Sequence, residues 1–144
     1  MAKSLNNLAT LYDDQGKYEE AEPLFLRTLA MKRKLLGDKH PSVAISLNNL
    51  AKLYESQGKY EEAEPLFLQT LEMLGKLLGD EHPYIAICLN NLAKLYYCQE
   101  KYEKAEPLYI QALAMDRKLL GEDHNHTIKV KENLEKCRVK LKLE

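Results

Sequence analysis

The side chains that could do chemistry are few, and most of them recur at one spacing. His40, His82 and His124 lie 42 residues apart. Imidazole can ligate a metal or move a proton. One histidine per 42 residues is too sparse to gather three or four ligands on one ion, so these read as loop-structure residues. The densest cluster, Asp123-His124-Asn125-His126, could hold nickel or zinc adventitiously. The pairs Glu19-Glu20 and Glu61-Glu62, followed by Glu103-Lys104, could suggest an acid–base couple. Each falls in what should be the first turn of a helix, where the macrodipole favours negative charge. The three cysteines have no metal or redox spacing. Cys88 stands where Ser4 and Ser46 stand, Cys98 where Ser56 stands, and Cys137 reads as a core contact. There is no glycine-rich phosphate loop and no Ser/His/Asp order. The expectation is therefore a protein that is not an enzyme, with no catalytic residue, no metal ligand and no cofactor.

The elements that carry these residues follow from a repeat. Ser4-Leu5-Asn6-Asn7-Leu8-Ala9 returns as Ser46-Leu47-Asn48-Asn49-Leu50-Ala51 and as Cys88-Leu89-Asn90-Asn91-Leu92-Ala93. Residues 4–45 and 46–87 agree at 32 of 42 positions. The expected organisation is one domain over 1–144. Repeat 1 (4–45) is truncated at its N-terminal side, repeats 2 (46–87) and 3 (88–129) are whole, and 130–144 forms the C-terminal part of a capping helix. In repeat 2, Pro41 opens a helix whose apolar stripe is Ala44, Leu47, Leu50, Ala51 and Tyr54. Gly58 ends this helix A. Tyr60, Ala63, Phe67, Leu68, Leu71 and Leu78 form the stripe of helix B, with Pro65 near its start. No strand pattern occurs. The predicted fold is all-α, an α-solenoid of three stacked helix-turn-helix repeats plus a capping helix, about seven helices in all.

Composition agrees with this class and narrows the partners. The 144 residues carry 21 Lys+Arg against 22 Asp+Glu, a net charge of −1, and 45% are hydrophobic. A near-neutral balance argues against nucleic acid. No apolar run is long enough to span a membrane, and the start Met1-Ala2-Lys3-Ser4 is too polar for a signal peptide. Three unpaired cysteines point to a reducing, cytoplasmic setting.

The order Leu47, Leu50, Ala51, Tyr54, Gly58, Tyr60, Ala63 and Phe67 resembles the tetratricopeptide (TPR) signature. The 42-residue unit, with Asn48-Asn49-Leu50-Ala51, Gly58-Lys59-Tyr60, Ala63-Glu64-Pro65-Leu66 and Leu78-Gly79-Asp80-Glu81-His82-Pro83, resembles the kinesin light chain subtype. Three departures stand out. Glu100 replaces the turn glycine of Gly16 and Gly58. Asn125 replaces Pro41 and Pro83. Gly75 sits inside a helix B, which is expected to bend or fray there. In the last segment Val130, Leu134, Cys137 and Leu141 keep one apolar face. Lys131, Glu135 and Arg138 replace the apolar positions that would meet a further helix B. That is the pattern of a solvating cap, so the array is expected to end there. Repeat 1 lacks the counterpart of Pro41-Ser42-Val43-Ala44-Ile45, which suggests trimming from a longer chain.

The resemblance implies a concave face, lined by helices A, that holds an extended peptide. The positions it assigns to that groove are Asn6, Asn7, Asn48, Asn49, Lys52, Glu55, Asn90, Asn91, Lys94, Tyr97 and Lys136. Asparagine is a poor helix former because its amide competes with the backbone. An Asn-Asn pair in mid-helix three times therefore points either to peptide-backbone recognition or to hydrogen bonds between neighbouring repeats. Lys52, Lys94 and Lys136 make one row, and 129–142 holds six basic and two acidic residues. Asp13 and Asp14 make the other end of the groove more acidic. A basic row favours an acidic peptide or protein segment, and Ile45, Ile87 and Tyr97 could take an apolar or aromatic side chain. Such a ligand would resemble the acidic, tryptophan-containing cargo peptides of kinesin light chains. The expected function is a protein-interaction module within a larger scaffold or signalling protein. The alternative is a purely structural segment without a groove ligand, with weak self-association through the uncapped first repeat.

Overall fold

The computed structural model describes residues 2–143, so Met1 and Glu144, the outer bounds of the expected domain, lie outside the described residues. Seven helices are present among them and no strand: α1 (Ala2–Asp14), α2 (Tyr18–Leu36), α3 (Pro41–Ser56), α4 (Tyr60–Leu78), α5 (Pro83–Cys98), α6 (Tyr102–Leu119) and α7 (Asn125–Leu143). The odd-numbered helices are the expected helices A, and the even-numbered ones are helices B. The chain divides into two compact units, Met1–Met73 and Leu74–Glu144. The division falls inside α4, just before Gly75. The helix itself runs unbroken through that glycine instead of fraying, and Gly79 N–H donates to Gly75 O at 3.1 Å.

In the first unit α2 packs on both α1 and α3. Ala9, Ala21, Phe25, Leu29, Val43, Leu47, Leu50 and Leu53 form one buried cluster. Helix B is thus covered on one side by its own helix A and on the other by the next. The second unit repeats the plan, with α6 packed on α5 and α7. Leu89, Leu92, Leu95, Tyr109, Leu113, Val130 and Leu134 are all buried there. Lys131, Glu135 and Arg138 of α7 are exposed.

The repeated histidines begin the helices. His40 Nδ1 accepts from Ser42 N–H at 3.0 Å, His82 Nδ1 from Tyr84 N–H at 3.1 Å, and His124 Nδ1 from His126 N–H at 3.1 Å. Each satisfies one amide that the first helical turn leaves without a partner. The third cap forms although Asn125 replaces the proline. At the opposite ends of α1 and α3 the chain turns through Gly16 and Gly58, with φ of 74° and 76°. A Lys17 N–H to Tyr12 O bond (2.7 Å) and its equivalent from Lys59 to Tyr54 (2.8 Å) close these turns. After α5 the same turn is made by Glu100 at φ 61°, again closed by Lys101 N–H to Tyr96 O at 2.8 Å.

A non-glycine residue in this left-handed region carries a cost of about 1–2 kcal/mol. Glu100→Gly is therefore expected to raise stability by about 1 kcal/mol, read as a higher urea midpoint at unchanged slope. His82→Ala should lower stability by about 1 kcal/mol through loss of the cap, and His82→Asn should restore most of it in the same titration.

Candidate peptide-binding surface

The Asn-Asn pairs lie on the helices A, and each unit uses them alike. In the first, Asn49 Nδ2 on α3 donates to Asn6 Oδ1 on α1 at 3.2 Å. In the second, Asn133 Nδ2 on α7 donates to Asn90 Oδ1 on α5 at 3.1 Å. The first Asn of one helix A accepts, and the second Asn position of the next helix A donates. For Asn6 and Asn49, and for Asn90, the structure displays the bond between neighbouring repeats. Asn48, Asn90 and Asn91 are buried, Asn6 and Asn49 half-buried, and Asn7 exposed. Asn133 was not singled out in the sequence, because Glu132 breaks the Asn-Asn pair there. The 42-residue register from Asn49 and Asn91 identifies it.

The charged rows lie outside this amide layer. In the first unit Lys52 is exposed and Glu55 half-buried. Burial pushes the Asp13 carboxyl up from its ordinary range and Asp14 adds to this, while Lys52 and a hydrogen bond from Ser56 pull it back. Its Oδ1 is buried without a partner. In the second unit Lys94, Tyr97 and Cys98 of α5, Tyr109 of α6, and Asn133 and Lys136 of α7 line an open cavity of about 180 Å³. Its lining holds two ammonium groups and no carboxylate. The Tyr97 ring stands edge-on to Tyr102 with centroids 5.2 Å apart. Lys94, Tyr97 and Lys136, assigned to the groove from sequence, are thus brought together. The first unit's candidates share its helices A, α1 and α3.

The other candidate chemistry is absorbed by structure. Burial pushes the Cys88 thiol up to about 12. The Cys137 thiol is also raised, by burial and then by Glu106, with Arg138 opposing. Both are protonated at neutral pH, when a thiolate would be the nucleophile. Tyr54 is raised by burial and by Glu22, whose Oε1 lies 3.5 Å from its hydroxyl. His126 Nδ1 meets Oδ2 of the fully buried Asp116 at 2.5 Å, so it ties α7 to α6.

Three overlapping stretches, residues 1–76, 57–118 and 91–142, match the tetratricopeptide repeat. The chain belongs to the tetratricopeptide repeat family. It is similar to the nearly identical TPR-like repeats of a putative kinesin light chain from Podosopora anserina. Those repeats superpose with a TM-score of 0.84 at 29% identity, over 94% of this chain and 64% of that one. BtubC (BKLC) from P. vanneervenii matches with a TM-score of 0.84 at 25% identity, over 97% of this chain and 56% of that one. The chain therefore spans less than two thirds of the length of either. The Sgt2 TPR domain from Aspergillus fumigatus, at 18% identity and a TM-score of 0.67 over 98% of this chain and 79% of that one, shares the fold. No curated protein matches the sequence. The architecture is thus the all-α TPR solenoid class, with repeats similar to those of the putative kinesin light chain. TPR repeats generally mediate protein–protein interaction, and their fold is typically a non-enzymatic scaffold. No described helix is long and apolar enough to cross a membrane.

The raised carboxyl of Asp13 sets a pH dependence. A group raised on folding contributes fully to stability below its unfolded value, about 3.9 for Asp, and loses that contribution as pH rises through its folded value. Asp13→Asn stays neutral throughout. It is expected to raise the Tm relative to the natural sequence at pH 7, with the gain shrinking to nothing below about pH 4. Thermal unfolding at a series of pH values checks this.

Proposed function

We propose that the surface formed by the helices A binds an extended, acidic segment of a partner protein. The observation that carries this reading is the cavity of the second unit, where Lys94 and Lys136 stand together without a carboxylate. Two like charges held around one cavity favour an anionic occupant, and they speed its approach. Asn133 adds an amide at the cavity wall, and Tyr97 offers an aromatic face for an apolar or aromatic side chain of the ligand. Within each unit the Asn-Asn positions lie along the helices A, and a side-chain amide that bonds a neighbouring helix still has a second N–H and a second lone pair with which to meet a peptide backbone. Lys52 and Glu55 belong to the same reading as the mixed-charge part of the surface. The module acts without catalysis as part of a larger scaffold or signalling protein in the cytoplasm, a reducing setting that suits the buried thiols of Cys88 and Cys137.

A second reading rests on a different observation. Leu8 and Leu11 of α1 are 40% and 50% exposed, and a bare apolar helix face favours weak self-association.

A random peptide-display selection tests the first reading. The natural sequence is expected to enrich a shared acidic motif. Lys94→Glu/Lys136→Glu should weaken that peptide at least about tenfold, the scale of one well-placed charge contact, and added salt should weaken the natural complex. No enrichment, or a motif whose affinity ignores both substitutions, removes the reading.

A further inference from the structure

The six places that line the cavity of the second unit recur in the first. Two repeat lengths before Lys94, Tyr97, Cys98 and Tyr109 stand Thr10, Asp13, Asp14 and Phe25, and before Asn133 and Lys136 stand Asn49 and Lys52. The supporting helices correspond, α1, α2 and α3 to α5, α6 and α7. The charges do not. The first set holds one lysine and two carboxylates, and the second holds two lysines and no carboxylate.

In the first unit the chain supplies its own anion. The Asp13 carboxylate interacts with the Lys52 charge and accepts a hydrogen bond from Ser56, and its Oδ1 is buried. One lysine is thus met by an acidic oxygen at this place. In the second unit Tyr97 stands where Asp13 would, packed edge-on against Tyr102, and the anion is left out while a second lysine is added. The lining is also rich in donors. Asn133 spends one N–H on Asn90 Oδ1 and keeps another, beside two ammonium groups and the hydroxyl of Tyr97.

We infer that this cavity seats a phosphoryl group, carried on a phosphorylated serine or threonine of the partner segment. This names the anion of the acidic segment proposed above and rests on that reading. The charge count favours it over a carboxylate. A phosphoserine carries about −1.5 to −2 at neutral pH and three acceptor oxygens, which matches two ammonium groups, whereas one Asp or Glu leaves a lysine unanswered. Adding acidic neighbours does not close the gap. Successive residues of an extended segment point to opposite faces, so consecutive Asp or Glu residues deliver one carboxylate to a cavity of about 180 Å³. Lysine suits the task as a point charge that binds phosphate without the planar fork a carboxylate exploits.

The test uses three synthetic peptide pools with random flanks and a fixed central residue, phosphoserine, glutamate or serine. Fluorescence anisotropy with the full chain reads their affinities. The phosphoserine pool is expected to bind at least about tenfold more tightly than the glutamate pool, and the glutamate pool more tightly than the serine pool. Lys94 and Lys136 are exposed, so Lys94→Gln and Lys136→Gln remove charge without opening the core. Each alone should cut the preference for phosphoserine over glutamate severalfold. Inorganic phosphate is the further probe, expected to displace the phosphoserine pool only at concentrations on the order of millimolar. Displacement at micromolar phosphate makes the free ion the occupant and overturns the inference. A glutamate pool that binds as tightly as the phosphoserine pool, and more tightly than serine, also overturns it and leaves the acidic-segment reading standing. Neither anionic pool exceeding serine overturns both. A phosphoserine preference that survives both lysine substitutions places the phosphoryl group elsewhere and overturns this site.

Discussion

A two-helix hairpin cannot bury both sides of its second helix, and every other feature of this chain answers that constraint. Helix B has one side against its own helix A, and its other side needs the next helix A. The packing of α2 between α1 and α3, and of α6 between α5 and α7, meets the need. Ala9, Ala21, Phe25, Val43 and Leu47 fall in one cluster because their residues come from three successive helices. Stability in such a chain is a sum of hairpin and neighbour terms, so the loops must hold each following helix in register. The histidine caps and the left-handed turns do so. They repeat because the geometry repeats, and the same geometry accounts for Glu100 adopting a conformation that suits glycine better.

The Asn-Asn pairs belong to the same scheme. Asparagine is costly in mid-helix, and a buried amide without a partner would cost more. Placed where consecutive helices A approach each other, the amides of Asn6 and Asn49, and of Asn90 and Asn133, satisfy one another. These amides are thus engaged in holding neighbouring helices A together. In the proposed reading, discrimination of a ligand falls to Lys94, Tyr97 and Lys136 in one unit and to Lys52 and Glu55, beside Asp13, in the other. The two units differ most there. Asp13 sits partly buried beside Asp14, with Lys52 opposing, while Lys94 and Lys136 share a cavity with no carboxylate.

The last helix shows how one pattern serves two roles. Val130, Leu134 and Cys137 keep the face that α6 requires, and Lys131, Glu135 and Arg138 stand exposed on another face. Arg138 goes further and pairs with Glu106, and His126 finds Asp116. These pairs occupy positions where earlier repeats place other residues, so each is a local answer to the ending of the apolar pattern.

Sequence alone determined the repeat, its 42-residue length, the seven helices, their class and the family. Each of these is written in short-range periodicity and in residues such as Pro41 and Gly58 whose backbone preferences act locally. The polar face of α7 was legible for the same reason, since a substitution pattern at helical spacing states which side meets water. Tertiary structure alone decided three things. It placed the amides of Asn6 and Asn49, and of Asn90 and Asn133, in bonds between helices, because a side chain able to meet either a neighbour or a ligand is resolved only by what stands within about 3 Å of it. It gathered Lys94, Tyr97, Asn133 and Lys136 around one cavity, because residues of α5 and α7 become neighbours only when both helices pack on α6. It turned the histidines from loop residues into caps, because a ring nitrogen accepts a hydrogen bond only where the backbone direction presents an N–H to it.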